Sequence, residues 1–345
     1  MNEKRQSMMR HEIDEAGDAA GRQIRENADA IREWGRRLRA LDPPVLATNA
    51  RGSSDHCALY LKYLVEIALG VPCASIGPSI ASLYNAPLRL EGALAVSISQ
   101  SGRSPDIVAM QRAAKQAGAS TLALVNEVDS PLALGADGLL PLRAGPERSV
   151  AATKSMIAGL VAGASLVAAW NQDAALAAGL AELPDLLRGQ TASAPEAMVE
   201  LVATAKSGFV LGRGATFAIA AEAALKLKET SGIHAEAFSS AEVLHGPAAL
   251  VGPGFPVIAF MPQDEAREGM EETLRQLAGM GARVLRMDAG GEDGDSRLAS
   301  AAIGPAPLAA IAMIHRFYGL VETVARRLGR DPDHPANLRK VTETR

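Results

Sequence analysis

The sequence predicts an α/β protein built as two similar halves, each a parallel sheet with helices packed on it. From Val45 onward, short apolar runs alternate with segments of helical period. That is the pattern of βαβ units, whose strands pair in parallel and are covered on both faces. The order strand, Gly- or Ser-rich loop, helix then restarts at Gly208, as a loose internal repeat. The composition agrees: 345 residues, 48% hydrophobic and 21% charged, describe a globular chain with room for two domains.

Composition also excludes several classes of function. The net charge is −4 with acids and bases interspersed, and aromatics are 3%. No basic stripe or base-stacking platform is present, so a nucleic-acid partner is not expected. The two cysteines, Cys57 and Cys73, form no CxxC pair, which argues against zinc-ribbon and redox motifs and fits a reduced, cytoplasmic setting. The charged start has no apolar core of a signal peptide. The longest apolar stretch, Met156 to Trp170, is short for a bilayer and reads as a buried helix, so no membrane partner is expected.

Residues 1–40 place Ile24, Ile31, Trp34 and Leu38 near helical spacing among charges, which predicts an amphipathic helical arm packed on the main body. Asp42-Pro43-Pro44 ends it. Val45–Thr48 reads as a strand, Asn49–Ser54 as a loop, and Asp55–Leu69 as a helix stopped by Gly70. A strand at Cys73–Ile76 and a short helix near Ile80–Tyr84 follow. Ala93–Val96 is a strand that runs into the hydroxyl-rich Ser97–Asp106, then a helix over Ile107–Ala117, with Ser104 suited to the N-cap and Pro105 to the first helical position. Strands at Thr121–Val125 and Gly138–Leu142, the small-residue helix to Trp170, and a polar helical connector over Gln172–Ala205 complete the first half. The second half has a strand and Gly loop at Gly208–Gly214 and a helix at Phe217–Ser231 ended by Gly232. Its later strands are Pro256–Met261, Arg283–Met287 and Ala301–Ile303, with a Gly/Asp-rich surface loop at Ala289–Ser296 and a helix at Ala306–Leu328.

A helix start carries unpaired N–H groups and partial positive charge, and ligands of such sheets sit at the carboxyl ends of strands. The Ser53-Ser54 and Ser99–Ser104 loops both occupy such ends, which makes them candidate phosphate cradles. Glu222, Lys226 and Glu229 fall at helical offsets on one face, in a helix whose other positions are Ala and Leu. Acids in a buried helix need partners or a purpose. His234, Glu236, Glu242 and His245 match no metal-ligand spacing, so no metal is expected. His245, before Gly246-Pro247, is a candidate proton carrier. A tail lysine, Lys340, could reach back into a site for carbonyl chemistry.

Several stretches resemble one family in sequence order. They are Arg51-Gly52-Ser53-Ser54, Ser99-Gln100-Ser101-Gly102, Val150-Ala151-Ala152-Thr153-Lys154, Leu211-Gly212-Arg213-Gly214, Ala224–Glu229, His234-Ala235-Glu236-Ala237, His245-Gly246-Pro247 and Asn337-Leu338-Arg339-Lys340. The chain is similar to double sugar isomerase (SIS) domain proteins, and to the isomerase half of glutamine–fructose-6-phosphate aminotransferases (glucosamine-6-phosphate synthases). The resemblance implies two tandem SIS subdomains, each flavodoxin-like with three αβα layers and a parallel sheet. The division it suggests is a helical arm over 1–40, a first SIS domain over 41–190, a second over 191–330, and an active-site tail over 331–345.

The resemblance also implies roles. Gly52, Ser53, Ser54, Ser99, Gln100, Ser101 and Ser104 would hold a sugar phosphate, and Val150 and Ala152 would line the sugar. Glu229 would move a proton between C1 and C2, and His245 would assist ring opening from a neighbouring subunit. Lys340 would meet the open-chain carbonyl, as a Schiff base or as a polarising cation. Three departures stand out. Asn2 occupies the position where the family's glutaminase half has its cysteine, so glutamine-dependent synthesis is not expected. Arg103-Ser104 stands where the family loop has Glu-Thr. Ala152 replaces a common serine.

The expectation is an aminosugar-phosphate deaminase/isomerase acting without cofactor or metal, converting glucosamine 6-phosphate to fructose 6-phosphate and ammonia. It would be a cytoplasmic homodimer with shared active sites. The alternatives are an aldose–ketose phosphosugar isomerase, a sugar–amine phosphate deglycase, and a non-catalytic sugar-phosphate sensor.

Overall fold

A computed structural model of the chain describes residues 6–190 and 193–340. The ends of the expected arm and tail, residues 1–5 and 341–345, lie outside the described residues, as do 191–192.

The chain opens with three helices, α1 (Met8–Asp14), α2 (Ala16–Glu26) and α3 (Ala28–Leu41), rather than one long arm. Tertiary bonds account for the second break. The buried Asn27 donates its side-chain amide to the Pro141 carbonyl at 2.6 Å, and α3 starts after it. Met9, Ile13, Ile31, Trp34 and Leu38 are buried, so this segment is part of the core.

A run of alternating elements follows: β1 (Leu46–Asn49), α4 (Ser53–Leu69), β2 (Cys73–Ser75), α5 (Ser79–Ser82), β3 (Leu94–Ser99), α6 (Pro105–Gln116), β4 (Ser120–Val125), α7 (Pro131–Gly135) and β5 (Gly138–Pro141). The five strands form one parallel sheet in the order β2-β1-β3-β4-β5, with Asn49 opposite Ser97 and Ser99 opposite Val125. The central strands β1 and β3 are buried at every position, as a sheet covered on both faces requires. The next helix, α8 (Lys154–Asn171), is buried along almost its whole length. Small residues let its neighbours approach closely. Gly35 of α3 lies against the backbone of Ala169, and Gly159 lies against the Cys57 thiol of α4.

Next come α9 (Ala174–Gly189) and α10 (Glu196–Thr204). The first of these buries Leu176, Leu180, Leu183 and Leu187, so the expected polar connector is an amphipathic helix with a core face. The pattern then repeats: β6 (Ser207–Gly212), α11 (Ala215–Lys226) with a π-helical turn over Leu227–Ser231, β7 (His234–Ser239), β8 (Pro256–Phe260), α12 (Arg267–Gly279), β9 (Arg283–Ala289), β10 (Arg297–Ser300) and α13 (Ala306–Arg327). This second parallel sheet has the order β10-β9-β8-β6-β7, which is the first topology read from the other edge. Its last strand ends before the expected Ala301–Ile303, because Leu298 and Ser300 are the inward residues that pair beside β9. α13 is long and apolar enough to cross a membrane by length and composition, but 94% of its apolar window is buried and it serves as a core helix.

The described residues group into two compact units. One comprises 6–17, 147–153, 182–190 and 193–340; the other comprises 18–146 and 154–181. The segment Glu147–Thr153 thus belongs with the second sheet, although the first sheet precedes it in the chain.

Candidate active site

In the unit of the first sheet, two strand-to-helix loops meet. β1 runs into Arg51-Gly52, and Gly52 adopts φ +56°, a left-handed bend that turns the chain into α4. Ser53 and Ser54 therefore fall in the first helical turn, partly exposed. β3 ends at Ser99, whose hydroxyl accepts the Gly102 amide at 3.0 Å. The Gln100 carbonyl accepts the amides of Asn126 and Glu127, both at 3.3 Å, and the Gly102 carbonyl accepts that of Leu132 at 3.2 Å. Gly102 has φ +62°, and the Ser130 hydroxyl fills the place a Cβ would take. The loop is thereby fixed from three sides.

Arg51 donates to Asp106 at 3.0 and 3.2 Å, which pins the first loop to the start of α6. Ser104 occupies the N-cap, as its sequence position predicts, yet its hydroxyl makes no capping bond. Its hydroxyl is thus left for an anion, whereas Pro105 has no N–H and the Ile107 amide is taken by the Asp106 carboxylate at 2.9 Å. Ser101 and Gln100 are partly exposed on the same loop. Arg103 pairs with Asp129 at 3.3 Å, with both side chains more than half exposed, so the pair is screened by water and holds the loop weakly.

The other unit carries the ionisable groups. Lys226, at the end of α11, is fully buried between Glu222 at 3.3 Å and Glu229, to which it donates directly. Glu222 is also fully buried and accepts the Tyr318 hydroxyl at 3.2 Å. Burial alone would lower the Lys226 pKa, but the two flanking carboxylates outweigh it and hold the ammonium above its ordinary value. The π turn begins one residue later. There the Thr230 hydroxyl donates to the Lys226 carbonyl at 2.8 Å, and the Ile233 amide donates to that of Leu227 at 3.1 Å. Such single π turns re-aim side chains and recur at functional sites. Here the turn leaves Glu229 22% exposed, while its partner Lys226 is sealed.

The same unit gathers Val150, Ala152 and Lys340. Lys340 donates to the buried Glu147 carboxylate at 2.9 Å, and Glu147 accepts the Thr153 amide at 3.0 Å. The Val150 amide donates to the Asp333 carbonyl of the tail at 3.0 Å. Val150 and Ala152 stay partly exposed on this loop, and the buried Thr153 hydroxyl has no hydrogen-bond partner among the described residues. His245 ends a 3-10 turn, Glu242–His245, and is exposed there. The structure therefore ties Lys340 to Glu147 and Glu229 to Lys226, and leaves His245 outside both groups. Glu147 and Thr153 were not singled out by sequence, because nothing local marks an acid or a hydroxyl whose partner lies elsewhere in the chain. Among the described residues, no group of three His, Cys, Asp or Glu side chains is assembled as a metal site would need.

Comparison with known proteins agrees with the tandem two-sheet fold. The family model for the SIS domain matches residues 46–169 and again 201–303. A glutamine–fructose-6-phosphate aminotransferase of Symbiobacterium thermophilum is 38% identical over 268 residues, which is 73% of this chain and 43% of that protein. The chain spans about half the length of the curated relatives it matches. Among solved structures, a Silicibacter pomeroyi DSS-3 protein provisionally named a phosphosugar isomerase is 44% identical, with TM-score 0.89, covering 95% of this chain and all (100%) of that one. The C-terminal domain of the Francisella tularensis glucosamine–fructose-6-phosphate aminotransferase is 27% identical, with TM-score 0.84, covering 97% and 100%.

Proposed function

The chain belongs to the SIS domain family, and on that premise we propose that it is a phosphosugar isomerase of the deaminating kind, acting on glucosamine 6-phosphate. The observation that carries this reading is the Glu222–Lys226–Glu229 array, buried at one end and open at the π turn. A base that works on the α-proton of a carbonyl needs only a modest pKa, provided that it is held in place. Lys226 supplies that hold through its direct bond to Glu229.

The steps then balance as follows. The phosphate rests on Ser53, Ser54, Ser99, Gln100, Ser101 and Ser104, with the Gly52 bend letting the backbone approach it. His245, supplied by a second copy in a homodimer with shared sites, helps the ring open to the C1 aldehyde. Glu229 removes the C2 proton and returns it at C1 while the C1 oxygen gains a proton and the amine nitrogen loses one, so the C1 carbonyl becomes an alcohol and the C2 amine becomes an imine. Water adds to the imine carbon, ammonia leaves, and fructose 6-phosphate remains. Val150 and Ala152 line the sugar chain. Lys340, which pairs with Glu147 at 2.9 Å, meets the open-chain carbonyl as a polarising cation or as a Schiff base. The setting proposed for this chemistry is cytoplasmic.

An aldose–ketose isomerase without amine release would use the same base. The test is therefore ammonia release measured beside ketose formation, on glucosamine 6-phosphate, galactosamine 6-phosphate and glucose 6-phosphate. Ammonia from an amino sugar supports the deaminase, whereas ketose formation from glucose 6-phosphate with no ammonia from either amino sugar replaces it with the plain isomerase. Glu229→Gln should still bind fructose 6-phosphate and lose turnover on every substrate. Turnover at the wild-type rate in that variant would overturn the assignment.

A further inference from the structure

The loop Glu147–Thr153 has no regular structure, yet the backbone amides of Arg148, Ser149 and Val150 are all held by distant segments. The Arg148 amide and the Ser149 hydroxyl both donate to the Glu12 carboxylate, and the Ser149 amide reaches the two oxygens of that carboxylate at 3.4 and 3.3 Å. Glu12 is 3% exposed and Ser149 is fully buried. A carboxylate in such a place is costly unless several donors meet it, and charge-assisted bonds of this kind are the strong ones. The Ser149 hydroxyl is also held against the Ala151 carbonyl at 3.0 Å.

Glu12 is itself held by a rigid mount. α1 docks on α13 through Ser7 and Arg10, both bonded to the buried Glu322 at 2.7 Å, and through His315, which meets the Ile13 carbonyl at 3.0 Å. Asp333 of the tail accepts the Met8 and Met9 amides at 2.9 and 2.8 Å, and its own carbonyl accepts Val150. One short helix therefore fixes both the loop with Val150 and Ala152 and the tail that delivers Lys340.

We propose that Glu12 is a positioning residue for the reaction: its buried carboxylate sets the backbone of the 147–153 loop, and through that loop the placement of Val150, Ala152 and the Glu147–Lys340 pair. This rests on the reading of the site given above. A structural anchor alone would affect only stability. A positioning residue also changes turnover in protein that remains folded, since misplacing reacting groups by about an ångström can cost about a hundredfold in rate.

The experiment compares wild type with Glu12→Gln, Glu12→Ala and, from the other side of the contact, Ser149→Ala. Three readouts are taken: amide hydrogen exchange in peptides covering residues 146–153, the dissociation constant of inorganic phosphate, and kcat beside KM on the sugar panel. Phosphate is held by the other unit's loops, so its affinity should stay within about twofold, a difference well under 1 kcal/mol. Exchange at Arg148–Val150 should rise at least about tenfold in Glu12→Ala, the loss expected for a bond to a charged group. kcat should fall with little change in KM, and Glu12→Gln, which keeps one acceptor oxygen, should recover part of both effects. Unchanged exchange in Glu12→Ala overturns the positioning role. Raised exchange with kcat at the wild-type value overturns its link to catalysis. A wild-type protein with no turnover on any sugar overturns the functional reading instead, and the exchange result then decides the positioning role alone. If Glu12→Ala fails to fold, Ser149→Ala and Glu12→Gln carry the same comparison.

Discussion

Lys226 sits between two carboxylates, Glu222 sealed beside it and Glu229 at the open end of the array. Replacing it with methionine removes the cation and leaves Glu222 buried beside the Tyr318 hydroxyl. Breaking a buried pair in this way costs about 3–5 kcal/mol. Lys226→Met should lose stability of that order in urea titrations, and a Glu222→Gln/Lys226→Met double variant should recover a large part. The three residues of this array are legible in the sequence, since their offsets of three and four put them on one helix face. Glu12 and Glu147 are not legible in that way. Their partners lie 136 and 193 residues away, and no periodicity connects positions so distant. Ser104 shows the intermediate case, in which the sequence identifies the N-cap and only the structure shows its hydroxyl left free of the helix.

Elements with a strong period were predicted close to their observed limits, because a strand buried on two faces or a helix ended by glycine announces itself locally. The α4 helix stops at Gly70 and the π turn at Gly232, each in the left-handed region that a glycine enters freely. Where a boundary depends on tertiary contacts, the sequence is silent. The opening segment breaks a second time where Asn27 bonds to a distant carbonyl, and β10 is placed by pairing with β9 rather than by its own pattern. Close approach is similarly hidden. A Cβ on Gly35 would fall within 2.7 Å of the Ala169 carbonyl group, backbone that has little room to yield. Gly35→Val should therefore destabilise the protein by about 1–3 kcal/mol through overpacking. Gly189→Ala, near the end of α9 with open space around it, should change stability by less than about 1 kcal/mol. Urea midpoints of the two variants provide the check.

At the scale of the molecule, each unit carries a carboxylate whose charge the fold favours. Asp288 is buried, which alone would raise its pKa, but Arg267, Gln263 and Arg297 more than offset this and lower it. Asp137 is lowered in the same sense: burial opposes, and Lys115 and Thr121 outweigh it. A depressed carboxylate contributes stability that is present above its ordinary pKa of 3.8 and lost as pH falls through the lower folded value. Lys226 acts at the other extreme: its raised pKa gives stability present below 10.5 and lost as pH climbs past the folded value. Stability should therefore begin to fall as pH drops through about 6.5, where the unfolded chain protonates the histidine that burial keeps neutral at His315, and fall further below about 3.8, with Asp288→Asn flattening the lower part of the acid limb when urea midpoints are compared from pH 6 downward. The capping of α1 by Asp333 has a further consequence, in the order in which the chain is made. The Met8 and Met9 amides meet their acceptor 325 and 324 residues later, and Val150 waits for the same residue. Domains fold largely as they emerge during synthesis. The first sheet has all its strands by residue 141, so it can close early on the ribosome. The loop at 147–153 cannot, and its final shape is set only when the stretch around residue 333 leaves the exit tunnel, long after the first sheet is complete.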